Sequence, residues 1–111
     1  MKKFPNISHI DPNSLDGLNH LGKFLVDVQF LSGAIPSNQD GSHDPWDHLE
    51  ALMGLTILGY KTQALKGLNW MVSNQNQDGS WYNLYQDEKP LELNKQTNHA
   101  AYVAVAVWHF Y

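Results

Sequence analysis

Apolar residues recur at three- and four-residue spacing in four separate stretches of this chain, and each stretch predicts a helix. In the first, Leu15, Leu18, Leu21, Leu25 and Val28 follow Asn13 and Ser14, either of which can cap a helix, and Asp16 falls in the first turn; the pattern runs to about Phe30. Gly33 to Ser42 carries Gly, Pro, Asn and Asp and reads as a loop. A second helix starts at Asp44-Pro45, a capping residue followed by proline at the first helical position, with Asp47 and Glu50 near the positive end of the macrodipole. It continues through Leu49, Leu52, Met53, Leu55, Ile57 and Leu58 and stops at Gly59. A third helix is predicted from about Thr62 to Asn74, and a fourth begins between Asn94 and Asn98 and runs to Tyr111.

The polarity of these helices alternates. The first and third mix Lys, Asn, Asp and Gln into their apolar stripe, as a helix with one wet face does. The second and fourth are apolar nearly all round past their first turn, and Ala51, Gly54, Ala100, Ala101, Ala104 and Ala106 leave room for close helix contacts. The pattern predicts an all-α fold of two outer-inner helical hairpins, about residues 14-59 and 61-111, behind an irregular lead-in over residues 1-13.

Self-similarity supports a repeat. Gly67, Trp70-Met71, Gln75, Gly79 and Trp81 stand in an order that Gly22, Phe24-Leu25, Gln29, Gly33 and Ile35 repeat upstream, and Asn-Gln-Asp-Gly-Ser occurs at both 38-42 and 76-80. This order resembles the QW repeat of the terpenoid cyclase and protein prenyltransferase α/α toroids. The resemblance implies that residues 14-111 form a segment of such a toroid. It also implies that Gln75 contacts backbone groups at a neighbouring helix end, that Trp81 is buried over its turn, and that the inner helices lie parallel with their first turns on one cavity. The Asp-x-Asp-Asp acid motif of squalene-hopene cyclases is absent, since Asp44-Pro45-Trp46-Asp47 has another spacing. The cysteine of the prenyltransferase zinc site is absent too.

Composition narrows the function classes. Only seven Lys plus Arg and a formal charge of -4 leave no basic stripe for nucleic acid. No apolar run approaches the ~18 residues of a membrane span, and Met1-Lys2-Lys3-Phe4-Pro5 is not followed by the apolar core of a signal peptide. A cytoplasmic protein is the resulting expectation.

Candidate chemistry concentrates at the first turns of the second and fourth helices. Asp44, Asp47, Glu50 and His99 are the candidate catalytic residues, because carboxyl groups with a nearby imidazole form the acid/base set that protonates an alkene or a glycosidic oxygen. His43, Trp46, His48, Asn98, Tyr102 and Tyr82 are the candidate substrate-binding residues, since aromatic walls suit either a carbocation or a stacked sugar ring. His43, Asp47 and His48 do not share one helix face, so no metal and no cofactor is called for. The reading is an enzyme domain resembling prenyltransferases and terpene cyclases, acting on an isoprenoid. The alternatives are a carbohydrate-active toroid of the glycoside hydrolase or lyase kind and a non-catalytic helical-repeat module. Self-association is expected through Val103, Val105, Val107, Trp108, Phe110 and Tyr111.

Overall fold

The computed structural model describes residues 3-86 and 89-111. Its elements in chain order are α1 (Leu15–Val28), α2 (Pro45–Ile57), α3 (Lys61–Ser73), β1 (Tyr82–Gln86), β2 (Lys89–Lys95) and α4 (Thr97–Phe110). Local chemistry sets the helix starts. The Ser14 hydroxyl accepts from the Gly17 N–H at 2.8 Å, and the Asp44 carboxylate accepts from the Asp47 N–H at 2.8 Å with Pro45 behind it at the first helical position. α1 ends at Val28 rather than near Phe30, because Gln29 turns to extended backbone and its N–H closes the last bond to Leu25. α2 ends at Ile57, with Gly59 at φ 87° turning the chain into α3.

The all-α expectation is wrong. Tyr82–Gln86 and Lys89–Lys95 pair as an antiparallel two-stranded sheet, with Tyr82 opposite Lys95 and Leu84 opposite Glu92, so the fold is mixed α and β. The reason lies in a short period-2 signal: Leu91 and Leu93 alternate with Pro90, Glu92 and Asn94, and Pro90 cannot sit inside a helix. β1 gains a second neighbour in His43, whose N–H and C=O both bond Tyr85 at 2.9 Å. This bridge ties the entrance of α2 to the hairpin.

The core lies chiefly between α2 and α3 and is closed by the two repeated turns. Leu49, Leu52 and Leu55 of α2 and Ala64, Leu68, Trp70 and Met71 of α3 are buried with Ile35, Trp81 and Tyr85. Trp81, 4% exposed, donates its indole N–H to the Met71 carbonyl at 2.8 Å and so folds back on the end of α3. The two Asn-Gln-Asp-Gly-Ser strings take the same turn: Gly41 and Gly79 stand at φ 87° and 86°, and Asn38 and Asn76 bond the carbonyls of Ser42 and Ser80. The two glutamines of the repeat differ. Gln29 spans two segments, donating to the Gly33 carbonyl at 2.9 Å and the Gln63 carbonyl of α3 at 3.0 Å, whereas among the described residues the Gln75 side chain reaches only Gly79 in its own turn.

α4 packs on α2 along one side only. His99 and Ala106 are its buried residues, while Val105, Trp108 and Tyr111 face outward, so α4 is not the doubly buried helix its polarity predicts. No helix among the described residues is long and apolar enough to cross a membrane.

Candidate functional site

The first turns of α2 and α4 lie at the same end. The Trp46 and Tyr102 rings stack at 4.1 Å and 8°, and the Tyr102 hydroxyl donates to Glu50 at 3.3 Å, so the two helices run side by side in the same sense. Between their starts and the hairpin lies a cleft of about 360 Å³, within the size range of small-molecule sites. Asp44 and Trp46 line it from α2, Asn98 and His99 from α4, Asn83 and Leu84 from β1, Glu92 from β2, and Gln96 from the connection into α4.

These side chains hold one another in place. Asp44 uses one carboxylate oxygen as the cap of α2 and faces His99. Asn83 donates to Glu92 at 3.1 Å and accepts from the Gln96 amide, which joins both strands to the start of α4. His99 is 2% exposed, its Nδ1 has no hydrogen-bond partner among the described residues, and burial pushes its imidazole below the ordinary range against the opposing pull of Asp44. A neutral imidazole is thus presented beside a carboxylate in a cleft rich in amide groups.

The expected trio of carboxylates is divided by α2 itself. Asp44 lies on the cleft, while Asp47 and Glu50 line a second groove of about 420 Å³ on the other flank. Glu50 accepts the Trp46 indole N–H at 2.9 Å and the Tyr102 hydroxyl, and burial together with the Glu50 charge pushes the Tyr102 phenol up. Trp46, which lines the cleft, and Glu50, which lines the groove, are thus joined by a hydrogen bond, with Tyr102 stacked on the first and bonded to the second.

Three other candidates sit elsewhere. His48 is in the core, where Nδ1 accepts from the Ile35 N–H at 3.1 Å and Nε2 donates to the Gly67 carbonyl at 3.0 Å; burial pushes its pKa down to about 3. His43 is also fully buried, its ring stacked on Tyr85 and set edge-on to Trp70, with a pKa pushed down to about 4 by burial. These two histidines are framework, reaching no cleft. Tyr82 lies under the Lys95 ammonium, 5.6 Å from its ring centre, and away from the cleft lining. Glu92, Asn83 and Gln96 were not expected in the site, and the alternation of Glu92 between Leu91 and Leu93 is the signal that places it on a strand facing away from its neighbours.

No protein-family model matches the chain. Over 85 residues, 77% of its length, the chain is 39% identical to the MMP endo-(1,4)-3-O-methyl-alpha-D-mannosidase of Mycolicibacterium hassiacum. It spans 24% of the length of that relative.

Proposed function

We propose that this chain is part of a carbohydrate-active enzyme that cleaves glycosidic bonds, with the cleft between the first turns of α2 and α4 as a sugar site. The observation that carries the reading is the 39% identity to an endo-mannosidase over most of the chain. The composition of the cleft supports it. Asn83, Gln96 and Asn98 offer the amide donors and acceptors that sugar hydroxyls need, and Trp46 offers an aromatic wall. An isoprenoid would offer few partners to the hydrogen-bonding capacity these amides keep beyond their bonds to one another and to Glu92.

Hydrolysis of a glycoside needs one carboxyl group to protonate the leaving oxygen as the anomeric C–O bond breaks. A second must deprotonate an attacking water or attack the anomeric carbon itself. Asp44 and Glu92 occupy the cleft for these two roles, and Asp47 and Glu50 flank the same helix turn for a chain of sugars that crosses it. Linear α-(1,4)-linked mannosides, with and without 3-O-methyl groups, are the substrates to offer. Trp46 fluorescence should shift on their addition, and Asp44→Asn and Glu92→Gln should each lower cleavage by about 100-fold or more. An isoprenoid diphosphate in their place should leave the fluorescence unchanged. A shift with the diphosphate and none with any mannoside would overturn the reading.

We propose also that copies of the chain associate through the outward face of α4, where Val105, Trp108 and Tyr111 are exposed.

A further inference from the structure

Among the described residues, His99 is the buried histidine that lines the cleft. It stands in the first turn of α4, its backbone N–H bonded to the Gln96 carbonyl at 3.2 Å. Tyr102, three residues on and on the same side of the helix, stacks on Trp46 at 4.1 Å and bonds Glu50, so this turn of α4 is clamped to α2 and the His99 ring has a fixed seat. The little surface that the side chain keeps is turned to the cleft.

Its two ring nitrogens are not equivalent. Nδ1 is sealed from solvent and has no hydrogen-bond partner among the described residues, whereas Nε2 is not sealed; at His43, by contrast, both nitrogens are. Nε2 is therefore the nitrogen open to the cleft. A proton on Nδ1 would be a buried donor with nothing to receive it, and a doubly protonated ring would bury that donor together with a charge. The favoured form is neutral with its proton on Nε2, and the downward push of burial on this imidazole acts in the same direction. In that form the basic lone pair is on the buried nitrogen, and the cleft meets a donor. His99 then takes no proton from a ligand, which removes it from the acid/base set to which its residue type assigns it.

Asp44 supplies the complementary group. It lines the same cleft, near enough for its charge to act on His99, and it spends one carboxylate oxygen on the Asp47 N–H, which leaves the other without a donor among the described residues. A hydroxyl satisfies both residues at once: its oxygen accepts from the imidazole and its proton goes to the carboxylate, each bond strengthening the other. An anionic group would meet Asp44 and Glu92 with like charge, and an ammonium would have no acceptor to offer Nε2–H. We propose that His99 is a ligand-binding residue of the cleft, donating its Nε2–H to a sugar hydroxyl whose own proton is held by the free oxygen of Asp44. The inference rests on the carbohydrate reading above and adds to it a neutral donor that selects and orients one hydroxyl.

Nitrogen-15 NMR of the full chain, with the His99 signals assigned by their loss in His99→Gln, reads the tautomer directly. The free protein at neutral pH should show an uncharged ring with its proton on Nε2, and α-(1,4)-linked mannotetraose should shift Nε2 while Nδ1 stays in place. A ring protonated on Nδ1, or on both nitrogens, would overturn the inference before any sugar is added. Calorimetry tests the bond itself. His99→Phe, which keeps the bulk of the ring and breaks no side-chain hydrogen bond seen among the described residues, should weaken mannotetraose binding about tenfold, and His99→Gln, whose amide can donate again, should stay within about threefold of the wild type. Thermal unfolding shows that both variants are folded. Equal affinity of the wild type and His99→Phe would overturn the role and leave the carbohydrate reading standing, as would equal weakening by Phe and Gln, the sign of a structural part alone. Failure of the wild type to bind mannotetraose would remove the carbohydrate reading and this inference with it, whatever the tautomer.

Discussion

His48 and His43 sit side by side in the core, their ring centres 6.1 Å apart, yet they contribute in opposite ways. His48 satisfies the Ile35 N–H and the Gly67 carbonyl at once, linking the first repeated turn to α3. Its replacement by alanine leaves both backbone groups buried and unpaired and opens a cavity, so His48→Ala should cost about 3–5 kcal/mol, read from urea unfolding at neutral pH. His43 has no hydrogen bond on either ring nitrogen among the described residues. His43→Phe therefore removes no bond and keeps the stacking on Tyr85, and it should retain wild-type stability within about 1 kcal/mol at neutral pH. Both histidines have depressed pKa values, so the unfolded chain binds protons more readily than the folded one. The stability due to their neutral forms is complete above the ordinary histidine range. It is lost as pH falls from about 6.5 towards 4 for His43 and towards 3 for His48. Urea midpoints should fall between pH 7 and pH 5, and His43→Phe should flatten that decline. A wild-type midpoint that does not move over this interval would refute the account.

At the scale of elements, the two copies of the repeat divide their labour. Gln29 joins the end of α1 to the start of α3 through the Gly33 and Gln63 carbonyls, and it is buried. Gln75 makes one bond inside an exposed turn. Gln29→Ala should therefore cost about 1–3 kcal/mol in thermal or urea unfolding, and Gln75→Ala less than about 0.5 kcal/mol. Equal losses would mean that the two turns are anchored alike. The glycines follow the same logic. A side chain at Gly33 would strike the Lys66 carbonyl where α3 passes against the turn, and one at Gly67 would strike Leu52, so both positions are required by packing between elements. The hairpin adds an element that the repeat does not contain. It carries Glu92 and Asn83 to the cleft and is fastened at its far end by Lys95, whose ammonium contacts Asp78 at 2.8 Å and holds that carboxyl well below the usual range.

At the scale of the molecule, the outer side of α4 exposes several large apolar residues. Trp108 is 85% exposed and Tyr111 90%, and Val105 of the same helix is exposed too. Burial of such groups is favourable by about 25 cal/mol per Å², against large costs of association, and a stable interface buries about 800 Å² per partner. Sedimentation of the chain at micromolar concentration should show a dimer or larger species, and Trp108→Glu should return it to the monomer. A wild-type chain that sediments as a monomer at these concentrations would refute association through this face.

What the sequence by itself determined is local. Helix starts at Ser14 and Asp44, the stop at Gly59, the burial of Trp81 and the twin turns at 38-42 and 76-80 each depend on a few neighbouring residues whose preferences act over one or two turns of chain. The meeting of Asp44, Trp46, Asn98 and His99 at one end was also legible, because two apolar helices that pack in parallel bring their first turns together. Tertiary structure decided the rest. Residues 82-95 carry only a short alternation at Leu91 and Leu93, and it is the hairpin's packing that places them, with His43 offering Tyr85 a backbone partner some forty residues away in sequence. That pairing brings Glu92 and Asn83 into the cleft and draws His43 into the core. The division of Asp44 from Asp47 and Glu50 follows from which neighbours flank α2 on each side: the hairpin and α4 on one, α1 and the lead-in on the other. The spacing of carboxylates on a helix states only that they are near one another; the elements packed around the helix decide which cavity each one faces.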